Sequence, residues 1–167
     1  MKKLVRNSVF ETNSSSCHSI SIADKVDFND VPSPNAEGNI HITSGEFGWE
    51  EDSYRGFFDK ASYLAVYIRD WAKEEKESFK QIFENLIKET TACYNITYED
   101  SFWDFEERSY KGSDGNQVVY QAKLGYGYID HQSVEDKDLH YLFTDVDKLK
   151  AFLFCSNSIL ETDNDNH

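Results

Sequence analysis

Apolar side chains recur at helical spacing in two adjacent segments of the chain. In the first segment, between Asp59 and Ala72, these positions are Ala61, Leu64, Ala65, Ile68 and Trp71. The second segment, which runs to about Thr90, repeats the spacing at Phe79, Ile82, Phe83 and Leu86. The periodicity predicts two helices, each with one face turned to the core. Asp59 is the expected N-cap of the first helix, because its carboxylate can accept hydrogen bonds from the unpaired N–H groups of the first turn.

Alternation of apolar and polar positions predicts several strands. Ile20 and Ile22 alternate with serines over residues 18–23, and Ile40 and Ile42 flank a histidine over residues 39–43. Two more segments with strand character are 93–98 and 117–123, the second of which follows a turn signal at 112–115. Residues 27–38 carry both prolines of the chain and are expected to form a loop.

A third helix is predicted to begin at Thr144, whose hydroxyl can cap the first turn and which is followed three residues later by Asp147. Strands and helices do not alternate in a strict βαβ order, which favours an α+β fold. We expect a single domain over residues 1–160 with a mixed or antiparallel sheet and about three helices packed against it. Residues 161–167 are expected to form a flexible acidic tail.

The charge balance is strongly acidic. Asp and Glu number 31 against 17 Lys and Arg, which gives a net charge of −14. Because a nucleic-acid backbone is bound by a basic surface, the composition argues against direct nucleic-acid binding and favours a protein partner with a basic surface. Apolar residues make up 39% of the chain and aromatic residues 15%, which is enough to build a core and excludes a disordered acidic segment.

The chain has no feature that predicts export or membrane insertion. Lys2 and Lys3 are not followed by the apolar stretch of a secretory signal, and the longest apolar run, 151–155, is too short to span a membrane. Three cysteines lie far apart without a Cys-x-x-Cys pair, which fits reduced thiols. We therefore expect a cytoplasmic protein with no membrane partner.

Residues 11–18 bring hydroxyls, a thiol and an imidazole together in a short stretch. One interpretation is a polar turn whose side chains bond to the nearby backbone. A second is a ligand or anion site built from backbone N–H groups and the side chains of Asn13, Ser14, Ser15 and Ser16. The third, nucleophilic catalysis by Cys17 and His18, is less favoured because neighbours in a strand point to opposite faces.

Asp130 and His131 are adjacent, and they are followed by an amide and a hydroxyl side chain. Carboxylate and imidazole groups suit a divalent metal such as Zn or Mn, and His18 could complete the ligand set. The spacing matches no established metal motif, so a hydrogen-bonded strand end is the alternative. A metal here would support a metal-assisted hydrolase or nucleotide-modifying enzyme, with His18, Asp130 and His131 as ligands or acid–base groups.

Acidic residues are interleaved with aromatic residues in two stretches, 46–54 and 98–107. Such a surface can copy the charge spacing of a nucleic-acid strand while Trp103 or Phe105 serves as an interface anchor. Alternatively, the aromatic residues belong to the core and the acids to the solvated face. The predicted partner-binding residues are Glu50, Glu51, Asp52, Glu99, Asp100, Trp103, Asp104, Glu106 and Glu107.

The block VRNSVFETNSSSCHS at residues 5–19 resembles the N-terminal signature of a group of small phage and prophage proteins. Segments 127–133, 152–160 and 163–165 also resemble parts of those proteins. The resemblance implies a phage or mobile-element setting and no particular reaction. It also pairs the two polar clusters: if the fold brings His18, Asp130, His131 and Asp163 together, they would form a metal or ligand site.

Two functional hypotheses follow from these patterns. The leading one is a phage-type accessory protein that uses its acidic surface to bind and inhibit a host factor in the cytoplasm, expected to be a nucleic-acid-handling defence protein. The alternative is the metal-assisted enzyme built on His18, Asp130 and His131.

Overall fold

The computed structural model describes residues 16–48, 50–130 and 139–164. Within these residues the helices are α1 (Phe57–Trp71), α2 (Lys76–Thr91), α3 (His140–Thr144) and α4 (Val146–Phe154), with a 3-10 helix at Lys73–Glu75. The strands are β1 (Ser16–Ser21), β2 (Asn39–Ile42), β3 (Glu46–Phe47), β4 (Asp52–Tyr54), β5 (Asn95–Tyr98), β6 (Phe105–Lys111), β7 (Gln117–Lys123), β8 (Tyr128–Ile129) and β9 (Ile159–Asn164). The fold is α+β, as the sequence predicts.

In the described residues, the strands form four small sheets in place of the single sheet expected. The largest is antiparallel, with β9 between β1 and β4. Two parallel pairs join β2 to β5 and β3 to β8, and β6 and β7 form an antiparallel hairpin. Because the pairs share no edges, α1 provides the surface on which several of them pack.

The core is centred on α1. Every residue from Ala61 to Ile68 is at most 4% exposed, so this helix is buried on all sides and not only on one face. α2 keeps the expected one-sided pattern, and its buried apolar residues are Phe79, Phe83, Leu86 and Ile87. α1 is therefore the internal support of the molecule, and α2 and α4 pack around it.

Burial of α1 encloses two cationic side chains. Lys60 is completely buried, and its Nζ donates to the carbonyl oxygens of Cys155 at 2.9 Å and Ser158 at 3.2 Å. Burial lowers the pKa of Lys60 to about 8. The amino group satisfies carbonyls just beyond the C-terminus of α4, where a positive charge is also favourable for the helix dipole.

Arg69 joins the end of α1 to two loops. Its guanidinium pairs with Asp70 at 2.6 Å and donates to the carbonyl oxygens of Tyr126 and Gly127, each at 2.6 Å. The same group lies over the ring of Phe102, 4.5 Å from its centroid. Because a guanidinium has five donors in a fixed plane, these contacts fix the 99–104 turn and the loop before β8 relative to each other.

Two helix starts differ from the sequence prediction. α1 begins at Phe57, and Asp30 from the loop between β1 and β2 accepts the Phe57 N–H at 2.5 Å, so the predicted cap at Asp59 is wrong. α4 is capped by Asp145 in place of Thr144, with Lys148 N as the donor at 3.3 Å. In both cases another carboxylate lies closer to the free N–H groups.

The tail predicted from Glu161 onward is also corrected, because β9 continues through Asn164. Pairing with β1 and β4 satisfies the backbone of this polar segment, and the local sequence carries no sign of those distant partners. In the described part of the chain, no helix has the length and apolar content needed to cross a membrane.

Candidate functional site

His18 lies on β1 and is only 6% exposed. Its Nε2 is 3.0 Å from the carbonyl oxygen of Gly48, and its Nδ1 is 3.2 Å from the hydroxyl of Tyr63 on α1. A carbonyl oxygen can only accept, so Nε2 carries the hydrogen. Burial lowers the pKa of His18, which favours the neutral ring, and Nδ1 then accepts from the Tyr63 hydroxyl.

Asp130 follows β8 and reaches the same region. Its N–H donates to the carbonyl oxygen of Phe47 at 2.9 Å, and the residue is 8% exposed. The hydrogen bond to the Gly48 carbonyl and the negative charge of Asp130 both raise the pKa of His18. They therefore oppose the larger lowering that burial causes. The structure thus brings together His18 and Asp130, which are far apart in the sequence, and adds Tyr63, which sequence reasoning did not identify.

The arrangement around His18 favours a structural role over metal binding or proton transfer. Both ring nitrogens are engaged, so binding a metal or a substrate proton requires the loss of one hydrogen bond. Across residues 16–48, 50–130 and 139–164, no group of three or more His, Cys, Asp or Glu side chains could hold a metal ion. His131 and Asn13, Ser14 and Ser15 lie outside these residues, and Ser16 is the first residue of β1.

Most of the second acidic stretch lies at the surface, and its carboxylates are here called the acidic ridge. Its members are Glu99, Asp100, Asp104, Glu106 and Glu107, which extend from the 99–104 turn into β6. Glu99 is half-buried and the other four are exposed. Glu106 and Glu107 are neighbours in β6, so their side chains point to opposite faces of the strand, while the other three carboxylates belong to the turn before it.

The aromatic residues within this stretch pack inward and support the ridge. Phe102 is 2% exposed and stacks on Tyr98, with 5.5 Å between ring centroids. Trp103 is half-buried, meets Phe102 edge-on at 4.9 Å, and lies 4.4 Å below the amino group of Lys80. The ring of Trp103 is thus partly covered by Phe102 and Lys80, and its role as an interface anchor stays a prediction.

Backbone hydrogen bonds hold the turn that carries the ridge. Phe102 N donates to Glu99 O at 3.1 Å, and Asp104 N donates to Ser101 O at 3.0 Å. Leu124 N donates to Asp104 O at 2.9 Å and so attaches the turn to the end of β7. The ridge is consequently positioned by the fold and does not depend on a free loop.

Most of the ridge has no opposing charge within the protein. Among the described residues its only ion pair joins Glu106 to Arg108, and both side chains are about half exposed. Exposed pairs of this kind contribute little to stability. The carboxylates of Glu99, Asp100, Asp104 and Glu107 direct their charge to solvent, which leaves them available for a cationic partner.

The first acidic stretch lies on a different element. Glu50, Glu51 and Asp52 are exposed, and Asp52 is the first residue of β4. Burial raises the pKa of Tyr54 and of Asp59, and the charge of Asp52 raises both further. The first acidic stretch thus forms a separate acidic patch beside the start of α1, whereas the ridge follows β5.

The β6–β7 hairpin is a feature that sequence reasoning described only in part. Nearly every residue of both strands is exposed, including Tyr110 at 58%, Val119 at 54% and Tyr120 at 44%. Tyr110 and Tyr120 pack edge to face across the strands with 5.9 Å between centroids. The turn signal at 112–115 could have indicated that a strand, β6, precedes it. The charged residues of β6 hide the alternating pattern that would have predicted this strand. The hairpin continues directly from the acidic ridge.

No protein-family model, curated protein or solved structure matches this chain.

Proposed function

We propose that this chain is a phage-type accessory protein that binds a basic surface of a host nucleic-acid-handling protein and inhibits it. The contact surface is the acidic ridge, extended by the exposed β6–β7 hairpin. The resemblance of residues 5–19 to small phage proteins and the net charge of −14 are consistent with this role.

The observation that carries the proposal is the construction of the ridge. Its carboxylates face solvent, while Phe102 beneath them is buried and the turn is fixed by Arg69 and backbone bonds. Carboxylates held in place lose less conformational entropy on binding than carboxylates on a free loop. A fixed concentration of negative charge is also the feature that a phosphate-binding protein surface recognises.

Inhibition follows from competition for one surface. A protein that binds nucleic acid gathers Lys and Arg on one face, and phosphate neutralisation there supplies much of the affinity. The ridge would occupy those cations, and the neighbouring Tyr110 and Tyr120 would add the apolar contact that charged residues alone do not provide. The long-range negative field would raise the association rate at low salt.

The test is a charge reversal on the ridge. The test variant carries Glu99→Lys, Asp100→Lys, Glu106→Lys and Glu107→Lys. The control variant carries Asp24→Lys, Glu37→Lys, Glu74→Lys and Glu89→Lys, all exposed positions outside the ridge. Both variants have the same net charge, so a difference between them reports location and not total charge.

The wild-type protein, immobilised at low salt, is expected to capture a nucleic-acid-binding protein from a nuclease-treated bacterial extract and to displace a labelled oligonucleotide from it. The test variant should bind that partner at least about tenfold more weakly, whereas the control variant should retain most of the affinity. Equal binding by the two variants, or capture without displacement, would contradict the proposal.

A further inference from the structure

A pocket of about 530 Å³ lies between the end of α1, the start of α2 and the base of the β6–β7 hairpin. Arg69, Lys73, Lys76 and Lys123 contribute four cationic side chains to its wall. Of the described residues that line it, Asp70 alone is acidic. This concentration of positive charge occurs in a chain whose net charge is −14.

The single carboxylate of the pocket is already committed. Asp70 accepts two hydrogen bonds from Arg69, at 2.6 and 2.9 Å, and a third from Lys123 at 2.8 Å. Lys123 also donates to the carbonyl oxygen of Gly127 at 2.8 Å. Arg69, Asp70 and Lys123 thus form a fixed wall, and Lys73 and Lys76 add two further positive charges beside it.

The two additional lysines are held in unusual settings. Lys76 is half-buried with its amino group 4.2 Å from the centroid of the Phe105 ring, and burial lowers its pKa. Lys73 has a φ of +48°, a left-handed conformation that favours glycine or asparagine over lysine. An anion in the pocket would replace the hydration that Lys76 has lost.

Two aromatic side chains, Trp71 and Phe105, also line the pocket. Trp71 lines the pocket, and its indole N–H is buried without a hydrogen-bond partner among the described residues. Together with the ring of Phe105, Trp71 gives the pocket an aromatic as well as a cationic character.

We propose that this pocket binds a small organic phosphate, with Lys73 and Lys76 holding the phosphate group and Trp71 and Phe105 contacting an attached ring. Lysine is well suited to a phosphate because it supplies a compact charge with several donors. The fixed Arg69–Asp70–Lys123 wall orients the pocket and remains unchanged on binding. This site is distinct from the acidic ridge and does not depend on the proposed protein partner.

The experiment uses the full chain and two probes, phenyl phosphate and inorganic phosphate, measured by titration calorimetry. The pocket variant carries Lys73→Gln and Lys76→Gln. The control variant carries Lys25→Gln and Lys148→Gln, which remove the same charge from exposed positions outside the pocket. Circular dichroism of each variant establishes that it is folded.

Phenyl phosphate should bind the wild-type protein and the control variant with similar affinity and bind the pocket variant at least about tenfold more weakly. Inorganic phosphate should bind more weakly than phenyl phosphate because it cannot contact the aromatic side chains. Absence of binding to the wild-type protein would overturn the proposal, as would an equal loss in both variants. Equal affinity for the two probes would overturn the assignment of the aromatic contacts.

A second measurement uses the wild-type protein alone. In a proton–nitrogen correlation spectrum of the wild-type protein, phenyl phosphate should shift the indole resonance of Trp71. The Trp103 indole N–H is also buried without a partner but lies outside the pocket, so its resonance should stay in place. A larger shift at Trp103 than at Trp71 would place the ligand elsewhere and contradict the proposal.

Discussion

Three polar side chains of α1, those of Lys60, Tyr63 and Arg69, are at most 2% exposed. Lys60 and Arg69 donate to backbone carbonyls of other segments, and Tyr63 meets His18 of β1. A buried neutral polar group without a partner would cost on the order of 1–3 kcal/mol, and a charged group would cost more. At this scale the polar residues of the central helix are the links that attach it to the strands and loops around it.

The buried position of His18 predicts a pH dependence of stability. Burial lowers its pKa below the usual value of about 6.5. As the pH falls below that value, the unfolded chain gains a proton at His18 before the folded chain does, so the free energy of unfolding decreases. The largest possible slope from one such group is about 1.4 kcal/mol per pH unit.

Urea unfolding of the wild-type protein and of His18→Gln, measured between about pH 7.5 and about pH 5.5, checks this expectation. The wild-type protein should lose more stability over this interval than the variant. All other ionisable groups are common to both proteins, so their contributions cancel in the comparison. Parallel pH profiles would show that the histidine protonates equally well in the folded state.

At the scale of elements, the hairpin of β6 and β7 differs from every other strand pair. The other pairs contribute buried residues such as Ile40, Phe47 and Leu160, whereas the outer part of the hairpin is exposed on both faces. Two strands alone are only marginally stable in water. The hairpin therefore depends on the turn and the end of α1 at its base, and its outer half is available for contacts.

We expect the outer half of the hairpin to be dispensable for folding. Replacing residues 110–118 by Asn-Gly would join Ser109 to Val119, which are opposite each other in the register, through a two-residue turn. The free energy of unfolding should change by less than about 0.5 kcal/mol, because none of the removed residues is buried. Urea unfolding followed by circular dichroism measures the change.

A core substitution provides the contrasting control for the same measurement. Leu64→Ala removes a side chain that is 0% exposed and should cost about 2–5 kcal/mol. A loss of similar size in the shortened hairpin would mean that this element contributes to the core, and its role as an exposed contact surface would then be wrong.

The elements that the sequence predicts best are those with local and regular patterns. β7 has the predicted bounds, Gln117–Lys123, and α2 shows its apolar residues at the expected spacing. β3 and β8 have two residues each, which is shorter than any repeating pattern. β9 was missed because it is rich in polar residues, and only its two partner strands make it a strand.

The candidate sites, like the elements, were predictable from the sequence only where their signal is local. The exposed carboxylates of the acidic ridge follow from the local run of charges, but the burial of Trp103 depends on Phe102 and Lys80, which are brought to it by the fold. The proximity of His18 and Asp130 was implied only by the resemblance. The pocket at Arg69 joins α1, α2 and the hairpin, so no single segment of the sequence could indicate it.

For the whole molecule, the excess of acidic residues has a general energetic effect. At a net charge of −14 the folded chain carries many carboxylates close together, and their mutual repulsion opposes compaction. Only a few of them are paired in the described residues, and the ridge contributes several that are not. Dissolved salt should therefore stabilise the protein by screening this repulsion.

The melting temperature is expected to rise as sodium chloride increases from about 10 mM to about 1 M, because the screening length falls from about 30 Å to about 3 Å. The four-residue charge reversal on the ridge lowers the net negative charge, so its melting temperature should respond less to salt. Differential scanning calorimetry provides both values. A melting temperature that falls with salt would show that attractive ion pairs outweigh the repulsion.

The central place of β9 determines when the fold can be completed. Its partners, β1 and β4, come from much earlier in the chain, so this sheet has a high contact order and forms slowly. During synthesis both partners leave the ribosome well before β9 does. Until then, β1 and β4 have unpaired edges on the sides that β9 will fill. The sheet that carries His18 is thus assembled late, and a nascent chain shorter than 159 residues exposes strand edges that chaperones and proteases can recognise.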